Sequence, residues 1–138
     1  MVRPFQDGGR FPGPALESLA ERALVPVRLL TVPDRRLPAL VERTAYFVTS
    51  KAIANAAKHA AATEVTVEVC EVGAALWLTV ADDGVGGADP HGSGLRALAD
   101  RVAAADGRLT VTSPPARGTR LTVVLPLIPE LLARPRPR

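Results

Sequence analysis

Cysteine is nearly absent from the chain. Cys70 is the one thiol in 138 residues, which excludes an intrachain disulfide framework and a thiolate zinc knuckle. It lies in an alternating apolar stretch and is expected to be core. Aromatic residues are scarce as well: Phe5, Phe11, Phe47, Tyr46 and Trp77 make up 4% of the chain, leaving little flat surface for stacking nucleic-acid bases. No uncharged apolar run reaches the roughly 18 residues of a membrane helix. The start, Met1-Val2-Arg3-Pro4-Phe5, lacks the apolar centre of a secretory signal, so the expected location is cytoplasmic with no membrane segment.

Charge of one sign is also missing where it would matter. There are 17 Lys and Arg against 14 Asp and Glu, yet the two signs balance between Pro14 and Pro126. The whole excess sits in the ends, on Arg3, Arg10, Arg134, Arg136 and Arg138. Basic tails on a neutral body are not a nucleic-acid face, and specific nucleic-acid binding is not expected. The length suits one domain. Gly8, Gly9, Pro12, Gly13 and Pro14 mark residues 1–14 as a flexible extension, Arg-Pro-Arg-Pro-Arg marks 127–138 as a basic tail, and 15–126 is left as the folded body.

Within that body, Leu16, Leu19, Ala20, Ala23 and Leu24 repeat at helical spacing until Pro26, and Val27 to Val32 reads as a strand. From Leu37 to about Ala61 the pattern is a long helix, with Val41, Ala45, Val48, Ala52 and Ala56 along one side and Pro38 in the first turn. Val65, Val67 and Val69 alternate with polar neighbours. A turn at Gly73 returns the chain through Leu76 to Val80 as a hairpin. A glycine-rich loop runs from Asp82 to Gly94. Leu95, Leu98, Ala99 and Val102 then mark a second long helix ending at Gly107, and 109–112 and 119–125 are the last strands. This order predicts an α/β fold: a two-layer sandwich with a mixed sheet and the helices on one face.

Three groups of residues carry chemistry. Lys51, Asn55, Lys58 and His59 share a face of the long helix, expected to lie opposite the alanine stripe. Asn is a poor helix-interior residue, so its amide oxygen suggests a partner such as a metal ion or its waters, although a solvated face is the simpler account taken alone. Ala81-Asp82-Asp83-Gly84-Val85-Gly86-Gly87 follows a strand. Its glycines let backbone approach a ligand, and a carboxylate at a strand end can accept a hydrogen bond from an exocyclic amine such as that of adenine. Finally, His91-Gly92-Ser93-Gly94-Leu95 opens the second long helix, where exposed amides form a natural phosphate cradle. A P-loop is absent, because no glycine is followed by Lys and then Ser or Thr. The match of 92–97 to G-x-G-x-x-A fails, because a loop with Pro90 precedes it where a strand is required.

Taken in order, these pieces resemble the ATP-binding catalytic domain of sensor histidine kinases, within the GHKL group of ATPases that includes gyrase and Hsp90 chaperones. Asn55-Ala56-Ala57-Lys58-His59-Ala60 resembles the N box, Asp82-Asp83-Gly84-Val85-Gly86 the first glycine box, Gly92-Ser93-Gly94-Leu95 the second and Gly118-Thr119 the last. The wording is closest to kinases paired with response regulators that carry a LuxR-type (NarL-type) DNA-binding domain. The resemblance implies the Bergerat-type fold, with ATP and Mg²⁺ as cofactors. Asn55 would hold Mg²⁺, Lys58 and His59 would approach the phosphates, and Asp82 would take the adenine amine with Thr119 supporting it. Gly84 and Gly86 would shape the pocket, and Gly92, Ser93, Gly94 and Leu95 would border the phosphates. The implied partners are a phosphoacceptor-histidine domain and a response regulator.

Two departures accompany the resemblance. Lys51 stands where the family carries Glu, four residues before the Asn; an ammonium is unfit as a general base, so impaired catalysis with retained binding is expected. His59 and His91 both fall in nucleotide boxes and neither is followed by an acid, so the chain alone is not expected to autophosphorylate. The alternatives are a catalytically weak ATP-binding interaction module and a serine kinase of the anti-sigma-factor type.

Overall fold

A computed structural model describes residues 13–58, 61–88 and 92–128. Helix α1 (Gly13–Arg22) leads to strand β1 (Val27–Thr31), helix α2 (Ala39–Lys58), strands β2 (Val65–Val72) and β3 (Ala75–Asp82), helix α3 (Ser93–Ala104) and strands β4 (Arg108–Thr112) and β5 (Thr119–Pro126). The sheet order is β1-β2-β3-β5-β4. β1 runs parallel to β2, the other pairings are antiparallel, and the sheet is therefore mixed, as expected. The expectations for residues 1–12 and 129–138 lie outside the described residues.

The two-residue period of the strands decides which face is covered. Val65, Val67 and Val69 of β2, Leu76, Leu78 and Val80 of β3, and Leu121, Val123 and Leu125 of β5 are all buried. They meet Val41, Ala45, Val48, Ala52 and Ala56 of α2 and Leu95, Leu98 and Val102 of α3. The small alanines let α2 lie close to the sheet. Truncating a fully buried leucine such as Leu78 or Leu98 to Ala costs about 2–5 kcal/mol.

Four expectations change in detail. Cys70 is half-exposed on the uncovered face of β2, because it alternates with buried Val69. Ala99 is exposed, since α3 buries only the Leu95, Leu98 and Val102 stripe. Gly107 is not the residue that turns the helix: the positive φ of +60° falls on Asp106. Gly107 is required for closeness, because a Cβ there would lie 2.6 Å from Leu125 Cδ2 and 2.7 Å from the Val124 carbonyl oxygen. The long helix also starts two residues later than its period suggests, with the Pro38 carbonyl accepting from the Glu42 amide at 3.0 Å.

The entry to α2 is clamped by a buried charge. Glu42, 1% exposed, accepts from Arg36 Nε at 2.9 Å and Arg36 Nη2 at 2.8 Å, and from the Leu37 amide at 2.9 Å. A carboxylate can be buried here because both its oxygens are satisfied. The clamp ties the first turn of α2 to the segment that leads into it.

Candidate functional site

At one end of the sheet the last inward side chains of three strands, Val65, Val80 and Leu121, stop short of the covering helices. Together with Ala52 of α2 and Leu95 of α3 they floor a cavity of about 460 Å³, within the range of small-molecule sites. Its rim is polar: Asn55, Asp82, Thr119, Gly86, Gly87, Ala88, Gly92 and Gly94.

Strand register brings the first two polar groups together. Asp82 is the last residue of β3, and its direct partner on β5 is Thr119, the first residue of that strand. One Asp82 oxygen, Oδ1, accepts from the Gly84 amide at 2.8 Å, which fixes the carboxylate as the loop begins. Thr119 Oγ1 lies 2.6 Å from Ser113 Oγ. Ser113 then reaches the loop: its Oγ accepts from the Ala88 amide at 2.9 Å, and its carbonyl accepts from the Gly87 amide at 2.7 Å.

Two glycines permit this crossing of loop and hairpin. A Cβ on Gly86 would lie 2.1 Å from the Pro114 carbonyl oxygen, and one on Gly118 would lie 2.1 Å from the Asp82 carbonyl oxygen. Both also have positive φ, +69° and +77°, a region that side chains disfavour. Asp83 anchors the other side. Its carboxylate accepts from Thr63 Oγ1, from the Thr63 amide at 2.8 Å and from the Glu64 amide at 3.1 Å. These bonds, led by that of the Thr63 hydroxyl, hold the Asp83 carboxyl below its usual range.

Asn55 forms the opposite wall with α3. It is half-buried at the edge of the alanine stripe, not opposite it, because 100° per residue puts position 55 about 60° from the stripe's centre. A Cβ on Gly94 would lie 4.0 Å from Asn55 Nδ2. The N-cap of α3 is Gly92, with no side-chain cap, which leaves the first amides of the helix open to an anion.

The predicted residues thus divide. Asn55, Asp82, Gly86, Gly92, Gly94, Leu95 and Thr119 line the cavity. Gly84 stands behind Asp82 as a hydrogen-bond donor. Lys51 and Lys58 are exposed and do not line it; Lys51 Nζ lies 5.8 Å from the Phe47 ring centroid, a ring also met by the Arg101 guanidinium at 4.0 Å. His59 and the side chain of Ser93 lie outside the described residues. Ser113, Thr63 and the apolar floor are additions. The floor was legible as the last inward position of each strand.

Among the described residues the donor set does not fit a resident Mg²⁺. Such an ion is ordinarily held by one or two carboxylates with phosphates and waters. Asn55 offers one neutral oxygen, and the lining carboxylate, Asp82, belongs to the sheet-end wall. Among the described residues no three His, Cys, Asp or Glu side chains gather as a metal site, and no helix is long and apolar enough to cross a membrane.

Residues 41–129 match the family model described as histidine kinase-, DNA gyrase B- and HSP90-like ATPase. The chain is similar to the signal transduction histidine-protein kinase/phosphatase UhpB of Salmonella typhimurium, 36% identical over 86 residues, covering 60% of this chain and 17% of that protein. Its fold is similar to that of the blue-light activated histidine kinase EL346 of Erythrobacter litoralis, with a TM-score of 0.71, 22% identity and coverage of 83% of this chain and 41% of that one. It is also similar to the ATP binding domain of PrrB from Mycobacterium tuberculosis, with a TM-score of 0.59, 24% identity and coverage of 80% and 93%. The chain spans less than a third of the length of the curated relatives it matches.

Proposed function

The chain belongs to the histidine kinase-, DNA gyrase B- and HSP90-like ATPase family, and from that premise we propose that it binds ATP as the catalytic domain of a sensor histidine kinase in two-component signalling. The observation that carries this reading is the meeting of Asp82, Thr119, Asn55, Gly92 and Gly94 around one cavity with an apolar floor. Asp82 Oδ2, which has no hydrogen-bond partner among the described residues, accepts from the exocyclic amine of adenine, while Oδ1 stays with Gly84. The ring lies over Val65, Val80 and Leu121. The phosphates run toward Asn55 and the open amides of α3, where glycines let backbone come close.

In this role the domain presents the γ-phosphorus to an imidazole nitrogen on a separate domain or chain. The phosphorus–nitrogen bond forms as the bond to the bridging oxygen breaks, ADP leaves, and the imidazole proton passes to solvent or to a base beside it. The phosphorylated histidine then serves a response regulator, of the type with a LuxR-like DNA-binding domain, in the cytoplasm. An Mg²⁺ carried in by the nucleotide would add charge neutralisation, with Asn55 the amide oxygen on that wall.

Calorimetric titration of the chain with ATP, with Asp82→Asn alongside, tests the reading. Saturable binding that weakens in the variant is expected; no binding of ATP to the parent chain overturns it.

Lys51 favours a second reading, a catalytically weak ATP-binding module. An exposed ammonium one turn before Asn55 supplies no base for the chemistry. Labelled phosphoryl transfer to a supplied phosphoacceptor domain separates the two: the weak module transfers at a rate that Lys51→Glu raises, and acid-stable label on serine would instead indicate a serine kinase.

A further inference from the structure

We propose that Lys51 is the counter-charge for the nucleotide phosphates at this site, so that the chain binds ATP without a divalent cation. The inference rests on the ATP-binding reading above and adds how the phosphate charge is met.

Helix geometry places the charges. Lys51 is one turn before Asn55 and Lys58 nearly one turn after it, and at 100° per residue the three fall within a sector of about 60°. Asn55 lines the cavity, and the two exposed lysines flank it on the same side of α2. Among the described residues neither lysine forms an ion pair. Lys51 is engaged only at long range by the Phe47 ring, whose closer cation is Arg101. Such a hold at an exposed site is weak, and the flexible four-carbon stem can leave it for a phosphate.

Among the described residues the opposite charge is missing from the same wall. Asp82 closes the β3 end beside Thr119, and Asp83 is tied to Thr63 and Glu64. With one neutral amide oxygen and two ammonium groups near it, this wall attracts an anion and repels a cation. The phosphates of ATP therefore meet lysine charge directly, and a divalent ion is not needed to bring them in.

The test is titration of the chain with ATP in MgCl2 and in EDTA, for the parent, Lys51→Met and Lys51→Glu, with adenosine as an uncharged probe of the same cavity. The parent is expected to bind ATP in EDTA within about threefold of its affinity in Mg²⁺, and Lys51→Met to lose about tenfold for ATP in EDTA while holding adenosine within about twofold. Lys51→Glu is expected to bind ATP at least about tenfold more tightly with Mg²⁺ than without, because a carboxylate beside phosphates needs a bridging cation. The adenosine arm reports that the variants keep their fold. A parent chain that binds ATP only with Mg²⁺ overturns this inference and leaves the nucleotide site standing, as does Lys51→Met binding ATP in EDTA as the parent does. No ATP binding under either condition overturns both.

Discussion

The hydroxyl oxygens of Ser113 and Thr119 lie 2.6 Å apart, and the same Ser113 oxygen accepts the Ala88 amide at 2.9 Å. One small side chain thereby joins the last strand to the loop that rims the cavity. Ser113→Ala leaves the Ala88 amide without this partner and is expected to cost about 1–2 kcal/mol in urea unfolding. Its effect on ATP affinity is expected to be about three- to tenfold, read by calorimetry, and to be shared non-additively with Thr119→Val in a double-mutant cycle.

Glycine substitutions should rank by what the new Cβ meets. Gly118→Ala and Gly86→Ala put a methyl 2.1 Å from a carbonyl oxygen at positive φ, and more than about 3 kcal/mol of destabilisation is expected from the combined clash and strain. Gly73 has φ +60° but nothing within 4 Å, so Gly73→Ala carries backbone strain alone, about 1–2 kcal/mol. Thermal melts of the three variants side by side check the order.

Base choice should depend on Asp82. Its carboxylate accepts from an amine and repels the carbonyl that guanine carries in the equivalent place. The parent is expected to prefer ATP over GTP by about 100-fold or more, and Asp82→Asn to shrink that preference by about tenfold or more, because an amide both donates and accepts. Competition titrations with the two nucleotides measure this, and an unchanged preference counts against the assignment.

Acid should loosen the anchor of the loop. Hydrogen bonds from Thr63 and Glu64 hold the Asp83 carboxyl below its usual range, and Arg35 does the same for Glu71. A carboxyl whose folded value is depressed stabilises the fold above its unfolded value, and the benefit is lost as pH falls through the folded value. Melting temperatures of the parent and Asp83→Ala should differ at neutral pH and converge as pH falls below the ordinary aspartate range.

Much of this arrangement is legible in the amino-acid sequence. The strands were legible because valine and leucine alternate with polar residues in β2, β3 and β5, and α2 because its alanines and valines repeat at three and four. Asp82, Gly86, Gly92 and Gly94 were legible because an acid or glycines interrupt those patterns where an element begins or ends, whereas Asn55 and Thr119 stood out through the resemblance of their boxes. Ser113 was not: a serine before two prolines reads as an ordinary turn, and its role depends on which loop lies across it. The place of Lys51 was half legible. Spacing puts it on the Asn55 side of α2, but only the fold shows it outside the cavity and over Phe47. The anchoring of Asp83 by Thr63 was hidden, since it links residues on either side of a hairpin.

The parallel pairing of β1 with β2 also sets an order of events. β2 and β3 are joined by a tight turn and can zip early, whereas β1 can reach β2 only after the chain has travelled the whole of α2. A contact that distant in the chain closes late and opens early, so β1 with its neighbour α1 is expected to form the less protected unit, exchanging its amide hydrogens faster than β3 at the centre of the sheet. Val65 sits in both worlds, paired with Val27 on one side and with Asp82 on the other. A ligand filling the cavity against Val65 therefore slows the breathing of the first strand, a change of rate at a place that the ligand never touches.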